Sequence, residues 1–203
     1  MAYLGYAIAH GAQWPGDRDL MLALQSARSP LLDAVMIAVS YVGYFLPIFG
    51  PLVVVLFVTL WRLRGAEEAL FVVVPTLVAD AMSLLVKGLV QRPRPGGDDL
   101  WVYAPSLDFS YPSQHVVTYT VLFGAVGFLA TRRWQGQSYR WPGLITAGLL
   151  ILMVGPSRVY LASHWPSDVL GGYLLGYAVW ALAVFILLSR SSARGPEQRG
   201  TEV

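Results

Sequence analysis

Five stretches of this chain stay apolar for about the length a helix needs to cross a bilayer, with short polar segments between them. A hydrocarbon core about 30 Å thick takes roughly 20 mostly apolar residues at a rise of about 1.5 Å each. The stretches cover residues 38–60, 70–90, 115–130, 142–159 and 168–188. The first is interrupted by Gly43, Pro47, Gly50 and Pro51, which predict a kink or an early interfacial turn. Residues 1–16 are apolar but short and contain glycine, making a candidate sixth membrane-embedded helix. Between Asp17 and Met36 charged residues alternate with Leu and Met clusters, the pattern of an amphipathic helix lying in the interface. Ser29 followed by Pro30 reads as an N-cap and a first helical residue. Beyond Ser189 the chain turns to Arg, Ser, Gly, Pro and Glu, and a disordered tail is expected. The expected fold class is therefore all-α, a polytopic transmembrane helix bundle with five clear spans plus an interfacial amphipathic helix. Its organisation reads as an N-terminal interfacial segment over 1–37, a transmembrane domain over 38–188 and a cytoplasmic tail over 189–203.

Composition supports the bilayer. Apolar residues make up 56% of the 203 residues, charged residues only 13%, and mean hydropathy is +0.55. A soluble domain carries about 25% charge, and one this apolar would expose large sticky patches. The sequence pI near 9.0 comes from an excess of only +2, scattered at the ends of apolar runs, so it does not mark a nucleic-acid surface. The absence of Cys excludes disulfides, Cys-ligated zinc and iron–sulfur clusters. No basic stretch followed by an uninterrupted apolar core opens the chain, so a cleaved signal peptide is not expected. Thirteen of the fourteen basic residues are Arg and Lys87 alone is Lys, which singles out that position for a role.

Basic residues set the orientation through the positive-inside rule. Arg62 and Arg64 follow the first span, Arg132, Arg133 and Arg140 follow the third, and Arg190, Arg194 and Arg199 follow the fifth. These segments alternate correctly to share one side, which the rule makes the cytoplasm. Residues 91–114 and 160–167 then face the extracytoplasmic side of a cell (inner) membrane.

Three polar segments fall on that second side. One is Lys87-Gly-Leu-Val-Gln-Arg-Pro-Arg94-Pro95, closing the second span. Another is Tyr111-Pro112-Ser113-Gln114-His115, opening the third. The last runs from Ser157-Arg158 to His164 and Asp168, between the fourth and fifth spans. A phosphate ester needs several donors for its nonbridging oxygens, and Lys87, Arg94 and Arg158 can supply them. Ser113 and the backbone N–H groups around Gln114 add donors where a helix begins. His164 is a candidate nucleophile, with Asp168 one helical turn on and able to orient the imidazole by a hydrogen bond. His115 can protonate the leaving oxygen and later activate water. The positive charge comes from side chains, and the acids of a two-metal site are missing from these segments. No metal or other cofactor is expected.

The pattern Lys-x6-Arg-Pro, then Pro-Ser-x-His, then Ser-Arg-x5-His-x3-Asp resembles the type 2 phosphatidic acid phosphatase superfamily. That family contains membrane lipid phosphate phosphatases and, with a soluble helical fold, vanadium haloperoxidases. The resemblance covers about residues 87–168. It implies His164 as nucleophile, Asp168 as its orienting partner, His115 as general acid, and phosphate binding by Lys87, Arg94, Ser113 and Arg158. The family's second motif usually reads Pro-Ser-Gly-His, and here Gln114 replaces the glycine, keeping the N–H donor while adding bulk.

Taken singly, each of these residues has a plainer reading. Arg92 and Arg94 can snorkel to headgroups, and Asp168 can be a helix N-terminal acid. Asp80 sits within the second span, where an ionisable group is costly, and a buried hydrogen-bonding role is expected for it. Trp61, Trp101, Trp134, Trp141 and Trp165 fit aromatic belts at the membrane boundaries. Jointly the three motifs favour a membrane enzyme that hydrolyses a lipid phosphate or pyrophosphate through a phosphohistidine. The resemblance to small bacterial members of the family implies undecaprenyl pyrophosphate as the favoured substrate. The alternatives are phosphatidylglycerophosphate, phosphatidic acid, the 1-phosphate of lipid A, a lipid phosphotransferase and a non-enzymatic lipid-binding protein. The expected partner is a lipid in the bilayer, with no nucleic acid.

Overall fold

A computed structural model describes residues 14–41, 46–132, 136–138 and 140–193. Among these residues the chain forms seven helices and no strand: α1 (Asp17–Ser26), α2 (Pro30–Tyr41), α3 (Leu46–Arg64), α4 (Ala66–Val90), α5 (Gln114–Arg132), α6 (Arg140–Tyr160) and α7 (Pro166–Ala193). Four of them, α4 to α7, are long and apolar enough to cross a membrane.

The amphipathic stretch after Asp17 forms two helices rather than one. Ala27 leaves helical geometry, and Ser29 Oγ accepts the Leu32 N–H at 3.3 Å, so a new helix starts at Pro30. The capping residue thus restarts the chain at the position its sequence marks. The stretch expected over 38–60 falls partly in α2 and partly in α3. α2 ends at Tyr41, α3 begins at Leu46, and residues 42–45 with Gly43 lie outside the described residues. So do residues 1–13, with the candidate N-terminal helix and His10, and Trp134. At the other end α7 runs on to Ala193, four residues beyond Ser189, and residues 194–203 lie outside the described set.

α5 is the centre of the bundle, packed against α4, α6 and α7, while α3 leans on α4 and α2 on α6. It is the most buried of the four candidate spans, and Val117, Val121, Leu122 and Leu129 fill the layers around it. Two α7 glycines let that helix approach. A Cβ at Gly172 would stand 2.8 Å from the Ser113 carbonyl, and one at Gly176 would stand 2.8 Å from Thr120 Cβ. Small residues four apart are the usual means of bringing two membrane helices into backbone contact. On the outside of the bundle Leu77, Leu84, Leu85, Leu89, Leu152, Leu182 and Phe185 stay exposed, the surface that lipid chains cover.

Helix direction gathers the chemistry at one end. α4 ends, α5 begins, α6 ends and α7 begins there. Arg62, Arg64, Arg132, Arg140 and Arg190 all lie at the opposite end. Trp61 and Trp141 are exposed near that basic end, as belt residues are. Trp165 is instead 7% exposed, with its indole N–H donating to the Pro93 carbonyl at 3.1 Å. It is a structural residue of the polar end, because the turn that carries it folds inward beneath the segment after α4.

Candidate active site

Four helix ends and two connecting segments build the polar end. Lys87 occupies the last turn of α4, whose C-cap Gln91 takes a left-handed conformation (φ 52°) and closes on the Lys87 carbonyl. The chain then runs extended through Arg92 and Arg94 and returns along itself, the Ser110 N–H meeting the Arg92 carbonyl at 2.8 Å. Gln114 and His115 open α5, and Arg158 lies in the last turn of α6. A tight turn follows, in which the Ser163 and His164 N–H groups both close on the Arg158 carbonyl. This geometry folds His164 back over the cation that precedes it by six residues.

A cavity of about 290 Å³ opens among these elements, lined by Lys87, Arg94, Ala104, Ser106, Asp108, Gln114, His115, Arg158 and His164. Six of the eight residues singled out in the sequence therefore share one wall. The other two stand behind it. Ser113 is fully buried; its N–H donates to the Asp168 carbonyl at 3.1 Å, and its hydroxyl has no hydrogen-bond partner among the described residues. Asp168 is also fully buried. A larger groove of about 400 Å³ between α4 and α7 is lined by hydrocarbon except for Glu67 and Arg190, so it has no means of holding phosphate comparable to the polar cavity.

The protonation of His164 follows from its neighbours. Its Nδ1 lies 2.8 Å from the Ser110 carbonyl, which can only accept, so Nδ1 carries the hydrogen. Its Nε2 lies 3.3 Å from the Arg94 guanidinium, which can only donate, so Nε2 carries a lone pair. Burial, then the charges of Arg94, Arg158 and Lys87, push the imidazole pKa well below its ordinary value. The ring is thus neutral near pH 7, with a nucleophilic nitrogen toward the cations.

Asp168 does not bond the ring directly, as its spacing had led us to expect. Its Oδ2 is 3.7 Å from Nδ1, beyond hydrogen-bond length. It accepts instead from the Ser110 hydroxyl and from the Trp165 N–H at 2.8 Å. Asp168 therefore fixes the residue whose carbonyl fixes the imidazole. Arg92 supplies its countercharge, bridging Asp168 and Asp17, the latter at 2.8 Å. Ser167 joins the same network through its N–H and hydroxyl, both donated to Asp17.

The cavity cations have a carboxylate of their own. Asp108 accepts from Lys87 Nζ at 3.1 Å, and from Arg94 Nε at 2.9 Å and its terminal nitrogen at 2.6 Å. Burial alone would raise its pKa, but the Ser106 hydrogen bond, Lys87 and Arg94 outweigh that and hold it below the usual carboxylate range. Arg158 is anchored on the far side by the Ser40 hydroxyl of α2. Gln114 stands beside Asp80, which also accepts from the Thr118 hydroxyl; the acid within the second span is a hydrogen-bonding group, half-buried rather than fully buried. Among the described residues no set of three or more His, Asp or Glu side chains gathers as metal ligands.

Sequence reading missed Ser110, Asp17 and Asp108, and gave Arg92 only a headgroup contact. Arg92 carried a signal, since it is an Arg within the Lys-x6-Arg-Pro spacing. Asp17 and Ser110 carried none, because each meets its partners across more than fifty residues of chain.

Residues 68–191 match the PAP2 superfamily model. The chain belongs to that superfamily. It is an integral membrane protein of a family of lipid phosphate hydrolases. It is 30% identical over 183 residues to decaprenylphosphoryl-5-phosphoribose phosphatase of Mycobacterium tuberculosis, covering 88% of this chain and 95% of that one. It is 41% identical over 80 residues to undecaprenyl-diphosphatase of Sulfolobus acidocaldarius, covering 39% of this chain and 34% of that one. Its fold matches the crystal structure of a transmembrane PAP2-type phosphatidylglycerolphosphate phosphatase from Bacillus subtilis. The TM-score is 0.73 at 22% identity, over 95% of this chain and 94% of that one. Gln114 keeps the helix start, and its side chain turns toward Asp80.

Proposed function

We propose that this PAP2 protein hydrolyses a lipid phosphate through a phosphohistidine on His164. One observation carries the reading: a neutral imidazole, its hydrogen committed to the Ser110 carbonyl, presents its other nitrogen to a cavity lined by Lys87, Arg94 and Arg158. Those cations bind the nonbridging oxygens, and the N–H groups at the start of α5 add to them. The Nε2 lone pair attacks phosphorus while the bond to the leaving oxygen breaks, and His115 delivers a proton to that oxygen. Water then attacks the phosphohistidine and gives its proton to His115. The P–N bond breaks, its electron pair returns to Nε2, and inorganic phosphate leaves. Asp168, through Ser110, keeps Nδ1 protonated in the resting state and stabilises the imidazolium character that develops during attack. Ser113, behind the wall, has the one expected phosphate contact that requires the α5 start to shift.

The substrate is a lipid whose phosphate reaches the cavity from the bilayer surface. Undecaprenyl pyrophosphate was the favoured candidate from sequence. The carboxylate of Asp108 among the cations favours a phosphate monoester over that diphosphate, for the reason developed below.

The site faces the extracytoplasmic side. Five Arg residues of the described chain cluster at the opposite end of the bundle, which the positive-inside rule assigns to the cytoplasm.

Two measurements test these statements. Purified His164→Ala protein in detergent should release no phosphate from lipid phosphates that the parent hydrolyses; retained turnover removes His164 as nucleophile. In sealed right-side-out vesicles, cysteine introduced by Asp99→Cys should react with an impermeant thiol reagent. Reaction only after rupture reverses the orientation.

A further inference from the structure

The charge of the cavity is set by four side chains. Lys87, Arg94 and Arg158 contribute three positive charges and Asp108 one negative, for a net of two positive. The cations are well buried, with side-chain exposures of 6% for Lys87 and 14% for Arg94, whereas that of Asp108 is 51%. Asp108 therefore stands at the solvent-facing mouth of the cavity. Lys87 and Arg94 already spend donors on it, and Ser106 holds it in place.

A phosphate monoester near neutral pH carries about 1.5 to 2 negative charges. Two net positive charges match it. A diphosphate ester carries roughly one charge more, and its inner phosphate must lie toward the mouth when the terminal phosphorus faces His164. There it would meet the Asp108 carboxylate. Like charges so placed repel, and the partly desolvated setting strengthens the repulsion.

We propose that Asp108 is a specificity-determining residue, an internal counter-anion that makes this cavity select phosphate monoesters over diphosphates. The proposal rests on reading the cavity as a phosphate site. A carboxylate that served only to position Lys87 and Arg94 would affect both substrates alike, and this difference separates the two roles.

The test compares the parent with Asp108→Asn, which keeps shape and removes charge, and Asp108→Glu, which keeps charge. Phosphate release is measured from a prenyl phosphate and a prenyl diphosphate of the same chain length. The kcat/KM ratio of diphosphate to monophosphate should rise about tenfold in Asp108→Asn and stay near the parent value in Asp108→Glu. Binding of inorganic phosphate and inorganic pyrophosphate, followed by calorimetry on the same proteins, needs no turnover and should shift in the same direction. An unchanged ratio in Asp108→Asn, or an equal loss on both substrates, overturns the proposal. A shifted binding ratio in proteins that hydrolyse neither lipid would sustain the charge selection and remove the phosphatase reading instead.

Discussion

Arg92 and Arg94 stand two residues apart on one extended segment, and both bind carboxylates. Arg92 lies 5% exposed between Asp17 and Asp168, themselves 5% and 0% exposed. Arg94 lines the cavity, paired with a carboxylate that is half in solvent. The first cluster is closed, with Ser167, Ser110 and Trp165 occupying the remaining hydrogen-bonding positions. The second is open on one side, and an incoming phosphate can take over its donors. The same pair of chemical groups is therefore scaffold in one place and machinery in the other. Burial makes the difference, because a sealed ion pair cannot exchange its partner without stranding a charge, whereas a half-exposed one loses little when water or a ligand replaces it.

This contrast can be broken from either side. The largest effect is expected from Arg92→Gln, which leaves Asp17 and Asp168 buried without a countercharge. Loss of one partner from a buried pair costs about 3–5 kcal/mol, so the unfolding midpoint in detergent should fall sharply, together with activity. A midpoint equal to the parent's would make Arg92 no more structural than Arg94.

A smaller and different effect is expected from Arg94→Gln. The fold should persist, while kcat/KM falls on the order of a hundredfold through loss of one charged phosphate donor. The pH profile should move as well. After burial, the Arg94 charge is the strongest influence opposing protonation of His164, so without it the imidazolium forms more readily and the pKa moves back up. The neutral nucleophile is then lost at a higher pH as the medium is acidified. Rapid-quench trapping of the phosphoenzyme across pH would register the shift, and a profile identical to the parent's would separate Arg94 from His164.

The smallest effect on stability belongs to Asp108→Asn. Asp108 itself is half in solvent, and pairs open to water contribute about 0–1 kcal/mol. Its unfolding midpoint should lie near the parent's even as its substrate ratio changes.

Much of the fold was legible in local pattern. Four of the five expected spans coincide with α4 to α7, and the Ser29-Pro30 cap marks the start of α2. What escaped was division within continuous patterns. The single interfacial helix is two, and each part is tied to the bundle by its own contacts: on α1, Asp17 reaches Arg92 and Gln25 reaches the Trp101 and Tyr160 carbonyls. Asp33 pairs with Arg28 and accepts from the Tyr160 hydroxyl. No periodicity announces such contacts, since all but the Arg28–Asp33 pair join residues distant in sequence. Of the site, the residue types and their order were readable, and so was the end of the bundle where they meet. The expected Asp168–imidazole bond was not, since a helical spacing of four brings two residues near without fixing which atoms touch.

The sequence by itself determined that this is a membrane helix bundle of the PAP2 kind with Lys87, Arg94, His115, Arg158 and His164 at one end. Hydrophobic runs and helix direction are local properties, and the covalent order of the motifs leaves them one place to meet. Tertiary structure alone decided that Ser110, not Asp168, holds the imidazole, that Arg92 is scaffold, and that Asp108 enters the cavity. These depend on hydrogen-bond distances and on burial, and both arise only when segments tens of residues apart pack against each other.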